Sequence, residues 1–372
     1  LRATSSISAT ASSPRRLWRT WSGLCKWSRV PKRVAIVGGG VTGLAAAFEL
    51  ERASDAEIDL YEAAPRLGGK LGTERISDLV VETGPDALFA RKPGLMETLD
   101  DLGLTDEIIE PKEREFMMYV RGRLHRVPAG LVTLNAVRPE SIQAADFLSP
   151  EGKARALAEP EQPIGTAEDE SIRSFFERRF GGEFTRLVAE PLLAGTHGGE
   201  GDRLSMRALF PAYLQWERRR VQNPTPTPPQ GEGAPGPTFV SFRSGMQTLV
   251  DALATSLKRT RVHLSTKLDT LPEADHVLVA IPANHAASLL PNVGLETIPT
   301  RSSAIATFAF PRASIGHPLD GTGFLIPSGE GLPITGATWS SAKWPGRAPE
   351  DTVLMRIFMR LPSPPEGRGV GG

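Results

Sequence analysis

A glycine-rich turn near the start of the chain is the feature whose residue types most clearly predict chemistry. Residues 34–43 read Val-Ala-Ile-Val-Gly-Gly-Gly-Val-Thr-Gly, an apolar stretch that runs directly into three consecutive glycines. Gly38 permits a tight turn, Gly40 lets the backbone approach a pyrophosphate, and Gly43 lets a following helix pack close to the strand. The turn therefore predicts an anion-binding site at the N-terminus of a helix.

The residues around this turn supply the other parts of a dinucleotide site. An apolar, alanine-rich stretch at 44–50 continues the turn as a helix, and a second apolar run at 58–61 ends in Glu62. Glu62 lies 19 residues beyond Gly43, where a carboxylate can accept hydrogen bonds from ribose hydroxyls. The order strand, turn, helix, strand and acid favours a bound dinucleotide over a tight turn without a ligand.

A second glycine pair follows the acid. Residues 62–70 read Glu-Ala-Ala-Pro-Arg-Leu-Gly-Gly-Lys. Gly68 and Gly69 let the backbone pass close to a cofactor, and Arg66 offers charge-assisted contacts to phosphate. An acid, a short spacer and Arg-x-Gly-Gly resemble the flavin-binding signature of the amine oxidase superfamily, so the two motifs together favour FAD over NAD. The alternative is a surface Pro-Arg turn that ends in glycines.

The composition of the chain limits the classes to which it can belong. Its 372 residues are 40% apolar and 23% charged, which is ordinary for a globular protein large enough for two domains. The formal net charge is zero, so no overall electrostatic attraction draws the chain to nucleic acid. One cysteine, Cys25, and histidines without paired ligand spacing predict neither a disulfide framework nor a metal site. No apolar run spans a bilayer, so any membrane contact would be peripheral and weak.

Apolar periodicity and turn residues predict the elements that position these motifs. The predicted helices cover residues 41–52, 92–102 and 245–257, and residues 141–220 are predicted to be mostly helical. The predicted strands cover residues 33–37, 58–61, 79–82, 238–242, 275–282, 301–310 and 353–359, with a hairpin of 116–120 and 123–127. The strand at 275–282 is expected to be buried, because it is a continuous apolar run stopped by proline.

Three segments differ in composition from the rest. Residues 1–32 contain much Arg and Ser but no Asp or Glu, so we expect a disordered extension. It is interpreted as a transit peptide, an interfacial membrane segment or an artefact of the gene sequence. Residues 223–237 are a Pro/Gly linker or exposed loop, and residues 361–372 are a low-complexity tail.

Six separated blocks carry a more specific resemblance. They are Arg-Leu-Gly-Gly-Lys at 66–70, Glu-Thr-Gly-Pro-Asp at 82–86, Phe-Phe-Glu-Arg-Arg-Phe-Gly-Gly at 175–182, Glu-Pro-Leu-Leu-Ala-Gly at 190–195, Phe-Val-Ser-Phe-Arg-Ser-Gly-Met-Gln-Thr-Leu at 239–249, and Thr-Trp-Ser-Ser-Ala-Lys-Trp-Pro-Gly-Arg-Ala-Pro-Glu at 338–350. In this order they resemble the protoporphyrinogen/coproporphyrinogen oxidase family of haem biosynthesis. The last block is far more specific than any glycine motif.

The resemblance implies an α/β fold, with a Rossmann-like FAD-binding domain and an inserted α+β substrate-binding domain of antiparallel sheet and helices. It assigns residues 33–110 and 238–283 to the FAD-binding domain. Residues 111–237 and 284–360 fall to the substrate-binding domain, with a helical part at 141–220. The family's closing strand and helix, which return to the flavin, are not found after residue 359. We therefore expect the chain as given to bind FAD weakly and to be poorly active.

The resemblance also implies roles for individual residues. The pyrophosphate would be held by Gly38, Gly39, Gly40, Val41, Thr42 and Gly43. The ribose would contact Glu62 and Ala63, and Arg66 and Gly69 belong to the second glycine motif. The flavin site would be lined by Lys70, Gly84, Pro85, Asp86 and Ala87, and the backbone of Leu268 would touch the adenine.

Arg91 is the candidate for binding a substrate propionate, because its planar guanidinium suits a carboxylate. The alternative is a solvated cation near a helix start. Trp339 and Trp344 lie in the most specific block, but large aromatic residues in such blocks more often pack than catalyse. No catalytic acid or base is identified from the sequence.

The implied reaction is the FAD-dependent oxidation of a porphyrinogen, coproporphyrinogen III or protoporphyrinogen IX, to the porphyrin with molecular oxygen as acceptor. Two alternatives stay open, which are another flavin oxidoreductase of the amine oxidase superfamily and an inactive truncated fragment. The charged residues of the helical region favour a protein that is cytoplasmic or weakly peripheral to the inner membrane. These residues are Arg178, Arg179, Glu183, Arg186 and Glu190. An organelle is the alternative location if residues 1–32 are a transit peptide.

Overall fold

The computed structural model describes residues 32–112, 115–132, 137–194, 199–219 and 238–361, so the predictions for the N-terminal extension, the Pro/Gly segment and most of the tail lie outside the described residues. The strands are β1 (Arg33–Val37), β2 (Glu57–Tyr61), β3 (Thr73–Ile76), β4 (Leu79–Glu82), β5 (Leu88–Phe89), β6 (Ile108–Ile109), β7 (Met117–Val120), β8 (Arg123–Arg126), β9 (Phe239–Phe242), β10 (Arg261–His263), β11 (His276–Val279), β12 (Ser303–Pro311), β13 (Gly323–Leu325), β14 (Ile334–Trp339) and β15 (Thr352–Arg360). The helices are α1 (Val41–Ala53), α2 (Leu95–Asp101), α3 (Ala129–Val132), α4 (Pro139–Ala144), α5 (Pro150–Leu157), α6 (Ile172–Phe180), α7 (Gly182–Phe184), a π-helix (Thr185–Ala194), α8 (Met206–Leu209), α9 (Pro211–Arg219), α10 (Gln247–Ser256), α11 (Ala283–Leu289) and α12 (Ser340–Lys343).

The first of two compact units contains Leu1–Glu74, Val80–Glu110 and Gly236–Pro299. Its parallel sheet has the strand order β10-β2-β1-β11. Strands β1 and β2 pair along their whole length at the centre, and four of the five residues of β1 are buried. A central parallel strand is covered on both faces, which explains why its sequence is continuously apolar. Residues 284–299, which the resemblance gave to the substrate-binding domain, lie in this unit.

Helix α1 leaves the glycine turn and packs against the parallel sheet. Its residues Leu44, Ala47 and Phe48 are buried in one apolar cluster with Ile36 of β1 and Leu60 of β2. The spacing of three and four residues puts these side chains on one face of the helix, and alanine and leucine favour helix formation. The β1–turn–α1–β2 arrangement predicted from the sequence is therefore present.

Strand β11 differs from the prediction of a buried strand. It pairs with β1 and is the last strand on its side of the described sheet. Leu278 is 41% exposed, and Val277 and Val279 are only half-buried. The prediction of burial was wrong because a continuous apolar run does not distinguish a central strand from one that has a single neighbour.

Two helices of this unit begin later than the sequence suggested. Helix α2 begins at Leu95 because Gly94 has a φ of +81° and ends the preceding turn. Helix α10 begins at Gln247, after Gly245 has adopted a φ of +99°. Positive φ values are accessible to glycine and incompatible with a right-handed helix, so each glycine fixes the start of the helix that follows it.

The second unit contains Arg75–Leu79, Pro111–Pro235 and Thr300–Gly372. Its six-stranded sheet has the order β12-β15-β14-β13-β7-β8, antiparallel except where β13 meets β7. The predicted hairpin is confirmed: β7 and β8 are joined by Arg121 and Gly122, whose φ values are +51° and +77°. Positive φ at both positions is the signature of the type I′ turn that suits a two-residue hairpin. An α/β fold with antiparallel and helical parts is confirmed.

The helical part of the second unit forms a separate apolar core. Phe175 and Phe176 of α6 are fully buried, and Phe176 stacks on Phe180, one turn further along the same helix, with ring centroids 5.8 Å apart. Aromatic side chains at spacings of one turn meet on the same helix face, as their sequence pattern predicted. The helical prediction for residues 141–220 is therefore confirmed where the chain is described.

The charged residues of this helical part, which favoured a cytoplasmic or weakly peripheral protein, do not all face solvent. Arg179 is 1% exposed and makes ion pairs with Glu159 and Glu217. Arg178 contacts Glu217 at 2.6 Å and Glu170 at 2.5 Å. Because these charges neutralise one another inside the unit, they say little about how its surface would meet a membrane.

Neither tryptophan of the most specific block reaches the surface. Trp344 is fully buried, and Trp339 is 2% exposed and packs with Met117, Leu319 and Val353. The interpretation of both residues as packing residues is thus supported. Within the described ranges, none of the helices has the length and apolar character that a membrane crossing requires.

Candidate dinucleotide site

The glycine turn joins β1 to α1, and two of its glycines are required by the packing of the protein itself. Gly38 has a φ of +109° and donates its N–H to the carbonyl of Tyr61 at 2.8 Å. A Cβ on Gly38 would lie 2.7 Å from the carbonyl oxygen of Ala280. A Cβ on Gly43 would lie 1.9 Å from the carbonyl oxygen of Gly38. These contacts let α1 approach the strand, as the sequence predicted.

Gly40 has a different environment, because the surrounding protein does not require a glycine there. Its φ of −69° and ψ of 176° suit any residue, and a Cβ would approach only Gly69 Cα, at 3.9 Å. Gly40 is the N-cap of α1, which has no side-chain cap and no acidic residue in its first turn. The space that a Cβ would fill therefore faces backbone N–H groups and the positive end of a helix, which fits a pyrophosphate.

The second glycine motif lies against the first. Gly68 forms a parallel bridge with Gly40 and donates its N–H to the carbonyl of Gly39 at 2.9 Å. Gly68 and Gly69 have φ values of +103° and +56°. A Cβ on Gly69 would lie 3.2 Å from Gly40 Cα. The structure thus brings together the two motifs that the sequence placed about 30 residues apart.

Arg66 supports this second loop from within. Its guanidinium donates to the carbonyl oxygens of Leu67, Gly69 and Leu71 at 3.1, 2.9 and 3.1 Å. These bonds fold the side chain around the Gly68-Gly69 turn and fix the path of its backbone. The predicted contact of Arg66 with phosphate stays a prediction.

The carboxylate of Glu62 is held at the end of β2 by two backbone groups. Oε2 accepts the N–H of Gly39 at 2.7 Å, and Oε1 accepts the N–H of Ala64 at 2.8 Å. Each carboxylate oxygen can accept more than one hydrogen bond, so the half-buried Glu62 can still receive ribose hydroxyls. Ala63 is exposed beside it.

The other predicted cofactor residues are distributed along three segments. Val41 is half-buried and Thr42 exposed in the first turn of α1. Gly84 packs on the loop of the second motif, since a Cβ there would lie 1.8 Å from the carbonyl oxygen of Lys70. The side chain of Lys70 is exposed. Pro85 is also exposed, while the positions that are half-buried are Asp86, Ala87, Leu268 and the substrate candidate Arg91.

Glu82 is a buried acid whose role the sequence did not reveal. Its carboxylate accepts the backbone N–H of Met246 at 3.0 and 3.2 Å and the hydroxyl of Thr73 at 2.7 Å. Thr73 Oγ1 in turn accepts the N–H of Gln247 at 3.0 Å. Together they cap α10 from outside the helix. The sequence feature that could have indicated a buried role for Glu82 is its position at the end of the apolar run Leu-Val-Val-Glu.

Asp59 is a second residue that the sequence analysis missed. It is 6% exposed, and its Oδ1 accepts Arg261 Nε and His263 Nε2, both at 2.8 Å. Oδ2 accepts Arg261 Nη2 at 2.7 Å. The hydrogen bond from Arg261 outweighs burial and, with that from His263, holds the pKa of Asp59 well below its ordinary value. Alternate polar residues in Glu-Ile-Asp-Leu-Tyr and Arg-Val-His were the signal for a polar stripe on one sheet face.

No group of three or more potential metal ligands occurs among the residues that the structure places. The histidines that carry a carboxylate partner have one each: His125 Nδ1 lies 2.9 Å from Asp146, and His263 binds Asp59. A single carboxylate orients an imidazole but does not complete a coordination shell.

Comparison with known proteins supports the sequence-based resemblance. Residues 41–362 match the family of flavin containing amine oxidoreductases. The coproporphyrinogen III oxidase of Bacillus subtilis (strain 168) is 33% identical over 88% of this chain and 77% of its own length. Protoporphyrinogen oxidase 2, chloroplastic/mitochondrial, of Arabidopsis thaliana is 27% identical over 88% and 75% of the two chains. A protein from Exiguobacterium sp. 255-15 described as a protoporphyrinogen oxidase has a crystal structure that aligns with a TM-score of 0.76 at 29% identity, over 90% and 78%.

Proposed function

Because the chain belongs to the family of flavin-containing amine oxidoreductases, we propose that it is an FAD-dependent oxidase that converts a porphyrinogen to the porphyrin. The proposed substrate is coproporphyrinogen III or protoporphyrinogen IX, in haem biosynthesis, and the proposed electron acceptor is molecular oxygen. The observation that carries the proposal is the Gly40 cradle closed by Gly69, in a chain 33% identical to a coproporphyrinogen III oxidase.

FAD is proposed as the flavin because the site offers separate places for a pyrophosphate and a ribose. The N–H groups at the start of α1 and the open side of Gly40 would receive the pyrophosphate. Glu62 would accept hydroxyls of the adenosine ribose, while its backbone contact with Gly39 keeps the acid beside the turn. Riboflavin and FMN lack the adenosine that this second place requires.

The isoalloxazine ring would lie near Lys70 and the segment 84–87, which meet where Gly84 packs on the Lys70 carbonyl. Glycine at this contact permits a backbone approach that no other residue allows. Leu268 would contact the adenine through its backbone. When bound, the flavin supplies the hydride acceptor for a bridge carbon of the tetrapyrrole and returns the electrons to oxygen.

Arg91 is proposed to bind a propionate of the substrate. It follows β5 in the same unit as the glycine turn, and its half-buried position strengthens a charge-assisted hydrogen bond by limiting competition from water. A fixed guanidinium would orient the macrocycle without taking part in proton transfer. The chemistry at the bridge carbon is assigned to the cofactor and to no side chain of this protein.

Porphyrin fluorescence tests the proposed reaction. The purified chain would be supplied with FAD and each porphyrinogen in air, and product fluorescence and oxygen uptake would be recorded together. We expect slow porphyrin formation that depends on added FAD and is abolished by Gly40→Val, which fills the pyrophosphate cradle. Oxidation of a polyamine or of phytoene, with no porphyrinogen turnover, would assign the protein to another branch of the superfamily.

A further inference from the structure

Four side chains form a polar cluster on one face of the parallel sheet, at the end of β2 that carries the ribose acid. The cluster consists of Asp59 and Tyr61 on β2 with Arg261 and His263 on β10. The two strands are parallel, and the register pairs Arg261 with Asp59 and His263 with Tyr61. Side chains alternate along a strand, so the cluster lies on the face opposite Ile58 and Leu60, which are fully buried in the apolar core of this unit.

One carboxylate connects both ends of β10 to β2. The guanidinium of Arg261 binds Asp59 through Nε and Nη2, in the two-pronged geometry that suits a planar fork. His263 donates Nε2–H to the same carboxylate, because an ionised Asp59 can only accept. The His263 ring also stacks on Tyr61, with centroids 4.6 Å apart and planes inclined by 12°. The last residue of β10 is thus held by a hydrogen bond and a ring contact.

The backbone that leaves this fixed residue holds the ribose acid. The carbonyl of His263 accepts the N–H of Glu62 at 2.9 Å, and the carbonyl of Glu62 accepts the N–H of Thr266 at 2.9 Å. The N–H of Ser265 then donates to the carbonyl of Ala64 at 3.0 Å. The path of residues 62–64 therefore depends on residues 263–266, whose first member is positioned by Asp59.

Helix α1 fixes the other end of β10. The carboxylate of Glu51 accepts the backbone N–H groups of Lys258, Arg259 and Thr260 at 3.0, 2.9 and 2.7 Å. This second clamp fixes the segment that leads into β10, whereas His263 at the other end is held by Asp59 and Tyr61. A charged pair of this kind adds little net stability relative to apolar side chains of similar size, so stability alone does not account for it.

We propose that Asp59 and His263 are positioning residues for the ADP half of the cofactor. They hold the end of β10 so that Glu62 stays bonded to Gly39 and residues 264–268 stay where the adenine would lie. This inference rests on the proposed function, since it takes Glu62 as the residue that binds the ribose. The two residues act through Glu62 and the segment 264–268, and are proposed to touch neither the substrate nor the reacting atoms.

Calorimetric titration of the full chain with FAD and with ADP tests the inference. Asp59→Asn and His263→Phe should each weaken binding of both ligands about tenfold, which corresponds to about 1.4 kcal/mol. His263→Phe keeps the ring contact with Tyr61 but loses the hydrogen bond. His263→Gln restores a donor to Asp59 and should recover most of the affinity. Arg52→Gln is the control, because Arg52 pairs with Asp101 on the surface of the same unit.

A double-mutant cycle distinguishes positioning from a general loss of structure. If the cluster acts partly through Glu62, Asp59→Asn should cause a smaller loss of FAD or ADP affinity in a Glu62→Gln protein than in wild type. An equal loss in both backgrounds would overturn the inference and give the cluster a structural role only. If wild type binds FAD and the affinities of Asp59→Asn and His263→Phe are unchanged, the inference is overturned but the proposed cofactor is not. A wild-type chain that binds neither ligand would overturn the proposed cofactor and the inference with it.

Discussion

The backbone N–H of Gly39 donates to Oε2 of Glu62 at 2.7 Å. Gly39 belongs to the turn proposed to hold the pyrophosphate, and Glu62 is the acid proposed to hold the ribose. Because this hydrogen bond fixes their separation, little ordering of the protein would be needed for a nucleotide to bind at the proposed site.

Two alanine substitutions in the glycine turn should affect different properties, FAD binding in one variant and stability of the fold in the other. Gly40→Ala should leave the melting temperature of the ligand-free chain unchanged, since the new methyl meets only Gly69 Cα at 3.9 Å, but should weaken FAD binding at least tenfold. Gly43→Ala should destabilise the fold by about 1–3 kcal/mol, because its methyl would overlap the Gly38 carbonyl. Thermal melts and FAD titrations of both variants make the comparison. Normal FAD binding by Gly40→Ala would contradict the assignment of the cradle.

Glu62→Gln should weaken FAD binding by about tenfold without abolishing the fold. The amide oxygen of glutamine can still accept the N–H of Gly39 or that of Ala64. The charged acceptor proposed to bind the ribose hydroxyls is lost, which should cost about 1.5 kcal/mol of binding free energy. Fluorescence quenching of FAD measures the change, and Glu74→Gln, at an exposed acid of β3 in the same unit, is the control. Equal affinities for wild type and Glu62→Gln would show that another residue receives the ribose.

Glu82→Gln should destabilise the first unit by about 1–3 kcal/mol, because the buried carboxylate accepts N–H groups at the positive end of α10. The measurement is thermal or urea unfolding of the ligand-free chain. Glu97→Gln is the matched control, since Glu97 is an exposed acid in the first turn of α2. A control that loses as much stability as Glu82→Gln would indicate that burial of the acid is unimportant.

The contribution of Asp59 to stability should disappear in acid. Its pKa in the folded chain lies below the ordinary value of 3.8, so the ionised form favours folding above that pH and loses its effect as the pH falls below it. The difference in unfolding free energy between wild type and Asp59→Asn should be constant from about pH 8 to about pH 5 and shrink below about pH 4.

This comparison of Asp59 is best made in a His263→Gln background. His263 and Arg261 are the titratable side chains that bind the carboxylate, Glu57 contacts Arg261, and the His263→Gln background removes the imidazole from the comparison. Urea unfolding at each pH gives the difference. A difference that grows in acid would mean that Asp59 is protonated, and not ionised, in the folded chain.

Arg91→Ala should raise the KM for the porphyrinogen about 10- to 100-fold. This increase corresponds to the loss of a charge-assisted hydrogen bond that contributes about 1.5–3 kcal/mol. FAD affinity and kcat should change little, because the guanidinium is proposed to orient the substrate and not to react. Lys92→Ala removes the neighbouring exposed cation and is the control. Equal effects of the two substitutions would indicate a general electrostatic attraction instead of a specific contact.

The extent to which the sequence predicted this site depends on the range of the interactions. The turn at Gly38 and Gly43 was predictable because its requirement is local: a positive φ and a close approach of adjacent elements. The roles of Glu82 and Asp59 were not, since their partners Met246 and Arg261 stand 164 and 202 residues away. The exposure of Leu278 was missed for the same reason, because a strand's position in a sheet depends on neighbours that periodicity does not identify.

The partnership of β2 with β10 has a consequence for synthesis on the ribosome. Asp59 and Arg261 are paired but 202 residues apart, and translation at about 5–20 residues per second would separate them by about 10–40 s. During that interval β2 has an open edge, because the strand that covers it has not yet been made, and open edges recruit other chains. Slow translation between the two strands would therefore prolong the exposure of that edge to aggregation.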